Sequence, residues 1–244
     1  MDIKNLKSFS EIDESFTTFD DNPALRELTM QLASSVAVLT LPHELYRTDD
    51  GGMIYGEKSI DKDSMRMIMD EEEYRANGSY EQIADLVAEV STISKLDVLN
   101  FWEQVIFCWV AGCSDMGHLQ FSMHEPHRGL YALTPASEFL PMAIIRSQGE
   151  GAQNEGMENE DMADKGMTGK DMALTINRKR HNITRQDFET AMKQSGLKAK
   201  IINGIFARYT AILPTWNEII DSSYIGEELI INYKEFVAKR VGSL

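Results

Sequence analysis

Two acidic side chains, Asp115 and Glu138, stand just off the two ends of a hairpin-like pattern within residues 101–141, FWEQVIFCWVAGCSDMGHLQFSMHEPHRGLYALTPASEFLP. Asp115 falls in a polar loop, 113–118, among small or flexible neighbours, and Glu138 follows Pro135 by three residues, between Ser137 and Phe139. Two short strand-like runs, 119–123 and 130–133, lie between them. Phosphoryl transfer of the protein-kinase kind uses such a set. An Asp on a loop behind a buried helix takes the hydroxyl proton, and an amide five residues on and an acid past the next hairpin hold metal against the phosphates. The positions with that spacing here are Asp115, Gln120 and Glu138. A D-x-x-x-x-Q spacing is short, however, and it equally describes a plain β-hairpin whose flanking acids cap turns.

Positioning these groups requires rigid elements. Residues 97–111 are apolar nearly all round (Val98, Phe101, Trp102, Val105, Ile106, Trp109), which predicts a central core helix ended by Gly112 and a firmly held loop after it. Ser79 with Gln82 forms a capping box for a helix that buries Ile83, Leu86, Val87 and Val90. Asp21-Asn22-Pro23 signals another helix start, with Leu25, Leu28, Leu32 and Ala33 on one face. Residues 36–47 and 53–60 read as two strands about the turn Asp49-Asp50-Gly51-Gly52, and 3–9 as a short strand followed by a polar turn. Residues 60–79 read as a solvated helix or loop containing an acidic run, 70–73. Towards the C-terminus, 172–176 reads as a strand, 177–181 as a basic turn, and 184–194 as a capped helix ended by Gly196. Two further amphipathic helices are expected, with breaks at Pro214 and near Ser222 and Ser223.

The quoted motifs resemble those of a known family. GCSDMGHLQFS and YALTPASEFLP are similar to the G-N-x-D-x-H-x-K-N-F-S and Y-x-L-x-P-A-Y-D-L-L-P pair of the HipA-type Ser/Thr kinases, the toxin halves of bacterial toxin and antitoxin pairs. LRELTMQLA, LPHELYRT, GSYEQIADLV and DMALTINRKRHNITRQDFETAMKQSGL extend the likeness over nearly the whole chain. It implies an α+β, protein-kinase-like fold: a small, truncated, β-containing N-lobe over 1–78 and a larger, mainly helical C-lobe over 79–244. The resemblance assigns Asp115 as base, Gln120 and Glu138 as metal ligands and Lys7 as the strand lysine that contacts ATP phosphates, although Lys7 also reads as a surface residue on an edge strand. The helix after that strand carries a Glu partner for the lysine in kinases. Its register offers Arg26 or Glu27, and Glu27 is the candidate.

Departures from the family pattern bear on activity. Gln120 and Glu138 replace Asn and Asp, each longer by one methylene, or about 1.5 Å. Magnesium's near-octahedral shell tolerates such a change poorly. The family's loop His and Lys fall on Gly117 and Leu119, with His118 one place out of register. Only six residues precede Lys7, and neither a G-x-G-x-x-G nor a P-loop pattern occurs, so a Gly-rich phosphate loop is expected to be missing.

Composition narrows the remaining choices. The 244 residues carry a formal charge of -15, which argues against a broad nucleic-acid-binding face and hence against direct nucleic-acid partners. There is no leader-like N-terminus and no apolar run long enough for a membrane span, and a cytoplasmic protein is expected. Cys108 and Cys113 have no metal spacing and read as buried free thiols. His118, His124 and His127 lack tight ligand spacing and read as structural or solvent-exposed. Segment 148–171 carries seven acids against two lysines and reads as a disordered insertion. Two functions stay open. One is a catalytically impaired, pseudokinase-like protein that binds a protein partner, antitoxin-like or kinase-like, and needs no cofactor. The other is an active Ser/Thr kinase using ATP and Mg2+, completed by a separate chain that carries the phosphate loop.

Overall fold

The computed structural model describes residues 3–60, 65–67, 78–117, 120–149 and 171–244. His118, Leu119, the acidic run at 70–73 and nearly all of the 148–171 insertion lie outside the described residues. The first sheet has four strands, β1 (Lys7–Ser8), β2 (Phe16–Phe19), β3 (His43–Arg47) and β4 (Met53–Lys58), in the order β1-β3-β4-β2. β1 runs parallel to β3, and the other pairs are antiparallel. β1 is shorter than the 3–9 strand expected. Ser8 and Glu11 form a capping box that winds the chain into a 3-10 turn at Phe9–Glu11. β2 occupies ground read as a polar turn, because β4 pairs all four of its residues, with the half-buried Phe16 and Phe19 at its two ends. Helix α1 (Pro23–Ser35) starts on its proline and packs Leu25, Leu28 and Leu32 against β3 and β4.

Helix α2 (Tyr80–Val90) begins at the expected capping box, in which Gln82 N donates to Ser79 Oγ and Ser79 N to Gln82 Oε1. Helix α3 (Ser94–Ala111) is buried on every side, with Phe101, Trp102, Val105, Ile106 and Phe107 fully enclosed. Each such side chain contributes about 1.5–3 kcal/mol by leaving water. Gly112 ends α3 at φ +85°, and a Cβ there would come within 3.0 Å of the Phe236 ring. Only glycine therefore suits both the turn and the packing. A second sheet, β5 (Met65–Met67), β6 (Ser122–His127) and β7 (Leu130–Leu133), is antiparallel, with β6 central. β5 falls inside the stretch expected to be a helix or loop, so that reading is corrected for 65–67.

The chain continues through α4 (Met142–Gly149), α5 (Arg185–Gln194), α6 (Ala199–Asp221) and α7 (Glu227–Gly242). Residues 172–176 form no ladder. They bury Met172, Leu174 and Ile176 alternately, as a strand would, but pair only through isolated bridges, Thr175 with Ser79 and Ile176 with Lys179. Their hold on α2 is still firm, since Tyr80 N donates to Thr175 O at 3.0 Å and Asn177 N to Glu81 Oε1 at 2.6 Å. Asp171 is fixed too, accepting from Arg240 of α7 and from Ile183 N. Pro214 does not break α6. It lies on the exposed face together with Thr210, whose carbonyl loses its usual i+4 donor, while Phe206, Tyr209, Trp216 and Ile220 bury the opposite face. The buried apolar residues form one cluster running from Leu25 in α1 to Val241 in α7. Cys108 and Cys113 lie inside it as free thiols. Among the described residues no helix is long and apolar enough to cross a membrane.

Candidate functional site

A cleft of about 570 Å³ opens between the first sheet and the hairpin β6–β7. Arg26, Glu57 and Lys58 line one wall, and Asp115, Gln120 and Glu138 belong to the other. The three residues selected by spacing are thus brought together. Asp115 rides on the loop behind α3, which is held at both ends: Cys113 N donates to Cys108 O at 2.8 Å, and the Tyr80 hydroxyl donates to Met116 O. Partial burial raises the Asp115 carboxyl above its ordinary range, and the fields of Arg146 and Arg26 oppose that rise. Gln120 turns its side chain back on its own loop, where Oε1 accepts from Gly117 N at 2.7 Å.

Glu138 adopts a left-handed backbone, φ +55°, a conformation that costs a side-chain-bearing residue roughly 1–2 kcal/mol. Neighbouring groups hold it there. Glu138 N donates to Glu57 Oε2 at 3.0 Å, and Arg26 Nη1 donates to Glu138 O at 3.2 Å. Two residues earlier, Ala136 bridges the 39–41 segment, accepting from Leu41 N and donating to Leu39 O. The first sheet and α1 therefore set where this acid stands.

Arg26 is buried, stacks 4.9 Å over the Phe19 ring and donates to the Asp21 carbonyl and carboxylate as well. Glu57 is only 3% exposed. Burial pushes its carboxyl up to about 7, a rise that Glu138 reinforces, while the Glu138 N–H and His43 work the other way. Among the described residues neither Glu57 Oε1 nor the neighbouring Tyr55 hydroxyl has a hydrogen-bond partner. Glu57, Lys58 and Arg146 were not singled out from sequence, and Arg26 was passed over in favour of Glu27. The alternation of β4, MIYGEK, carries a signal for Glu57, since period two puts it on the buried face beside Tyr55.

Lys7 and Glu27 stand elsewhere, in a separate hollow of about 320 Å³ with Asn5, Leu6, Gln31 and Glu44. Lys7 pairs with Glu44 at 2.8 Å on the surface, with 58% of its side chain exposed. Glu27 pairs with His43 at 2.9 Å and accepts from Gln31. The two are not partners, and neither lines the cleft.

As a cation site, the cleft offers hard oxygen donors on Asp115, Gln120 and Glu138, the donor type that Mg2+ takes together with phosphate oxygens. The amide oxygen of Gln120 keeps a second lone pair beyond its bond to Gly117. Among the described residues no three of His, Cys, Asp and Glu converge into a metal-ion group.

The fold is α+β and kinase-like. HipA of Shewanella oneidensis MR-1, solved as a toxin–antitoxin complex with HipB and operator DNA, superposes with a TM-score of 0.67 at 11% identity, over 97% of this chain and 62% of HipA. This chain thus spans less than two thirds of that protein. The Helicobacter pylori proinflammatory kinase CtkA superposes with a TM-score of 0.59 at 13% identity, over 94% of this chain and 87% of CtkA. The chain belongs to the HipA-like C-terminal domain family, whose model matches residues 27–216. A comparison with curated proteins found no match.

Proposed function

We propose that this HipA-family protein is impaired in phosphoryl transfer and acts by binding a protein partner in a toxin–antitoxin-type system. The observation that carries the reading is that Lys7 is tied to Glu44 in a hollow apart from the cleft, while Gln120 commits one lone pair of its amide oxygen to Gly117 N. If magnesium bound, Gln120 and Glu138 would hold it, and it would supply neutralisation of phosphate charge. The HipB seen with HipA of Shewanella supports an antitoxin-like protein as the partner class. Millimolar MgATP should therefore raise the melting temperature of the isolated protein by little or nothing. A ligand at a hundred times its Kd would add about 2.7 kcal/mol, an effect easily measured by differential scanning fluorimetry.

The rival reading is an active Ser/Thr kinase completed by a chain that supplies a phosphate loop, with Asp115 as base. Two observations favour it. The Asp115 carboxyl is raised towards the range useful to a general base, and CtkA, a kinase by its name, is matched over most of its length. A clear MgATP shift that disappears in Glu138→Ala, with phosphate incorporation that disappears in Asp115→Asn, would establish this reading over the first.

A further inference from the structure

Glu138 is the one cleft acid whose backbone is held in the left-handed region, and its peptide is gripped from both sides by groups on other elements. Glu57 reaches it from β4 as acceptor for its N–H, and Arg26 reaches it from α1 as donor to its carbonyl. Both gripping side chains are themselves fixed. Arg26 is stacked on Phe19 and bonded twice to Asp21, and Glu57 is enclosed beside Tyr55 on the buried face of its strand. Glu57 was not put forward from sequence, and Arg26 was offered by the helix register only to be passed over for Glu27.

We propose that Glu57 and Arg26 are positioning residues: together they clamp the Glu138 peptide in its left-handed turn and so determine where the Glu138 carboxylate is presented in the cleft. The proposal assigns Glu138 its holders. It stands on the contacts of the free chain and does not depend on whether the cleft takes a nucleotide. Since a left-handed glutamate is unfavourable by itself, loss of either grip lets the residue relax towards the right-handed or extended regions that L-residues prefer. An acceptor of the same shape, as in Glu57→Gln, preserves the grip, and an apolar side chain of similar size, as in Glu57→Leu, removes it.

The test uses the full-length chain, labelled for amide-resolved NMR without added ligand. In the wild type and in Glu57→Gln, the Glu138 amide should exchange slowly, and its Cα and Cβ shifts should have the left-handed signature. In Glu57→Leu, exchange at Glu138 should quicken by about tenfold or more, as expected for losing a hydrogen bond to a charged or strongly polar acceptor, and the signature should fade. Arg26→Gln should move the shifts in the same sense. The Ala136 amide, which bonds to Leu39 O in the same segment, should keep its rate and so separates loss of the clamp from general loosening. Equal Glu138 exchange in wild type and Glu57→Leu would overturn the proposal, as would Glu57→Gln behaving like the leucine variant. Because no nucleotide or metal takes part, these outcomes are distinct from failure of the functional reading above.

Discussion

The cleft and the Lys7 hollow both contain acids and bases from α1 and the first sheet, yet they are built differently. In the cleft, Arg26 and Glu57 are buried and bonded to backbone groups of a distant segment, so their charges are anchored in three dimensions. In the hollow, Lys7 and Glu44 meet on two adjacent strands with much of both side chains in water. Exposed pairs of that kind gain little, because water screens them and two long side chains must be ordered. Charge near a depression is thus a poor guide to a site. Charge withdrawn from water and bonded to another part of the chain is the better one, since the fold bears a cost to keep it there.

Arg26 is where the two sites differ most in energy. Arg26→Ala leaves the Glu138 carbonyl, the Asp21 groups and the Phe19 face without their partner, and should destabilise the protein by about 3–4 kcal/mol in chemical denaturation. A loss below about 1 kcal/mol would put Arg26 in the same class as Lys7.

Glu57 sharpens the contrast through pH. Its folded-state carboxyl lies near 7 against 4.5 for the unfolded chain, so it favours the folded state fully below pH 4.5, and that contribution is lost as pH rises through 7. Glu57→Gln should therefore be more stable than the wild type at pH 8 by on the order of 2–3 kcal/mol and gain nothing at pH 4.5. Parallel stability profiles for the two proteins between pH 5 and 8 would show that Glu57 is hydrated after all. At the small end, Lys7→Ala should leave both the denaturation midpoint and any MgATP response unchanged. A response lost in that variant would move the functional centre towards the hollow.

Much of the scaffold was legible because local signals agreed with tertiary demand. The Ser79–Gln82 box, the all-round apolar α3 and the Gly112 stop each act within a turn or two of the chain. Family likeness then brought Asp115, Gln120 and Glu138 to one cleft. What escaped was decided at long range. β2 exists because β4 offers it an edge, Pro214 is tolerated because buried aromatics grip α6 from the other side, and Arg26 is preferred over Glu27 because Glu138, 112 residues away, needs a donor. Glu57 was hidden for a related reason: period two places it on the buried face of β4 with Tyr55, but its role is set by the distant Glu138 N–H that it accepts from.

The flanks of the acidic stretch have a practical use. On one side α4 is seated by Ile144 and by Ala143 N on Gly112 O, and on the other Asp171 is bolted to Arg240 while Thr175 is pinned to the start of α2. Each flank has its own attachment to the core, so neither depends on the other for its place. An epitope tag or a protease recognition sequence placed between the two flanks would show whether Asp115 and Glu138 keep their places when each flank is held only by its own attachment.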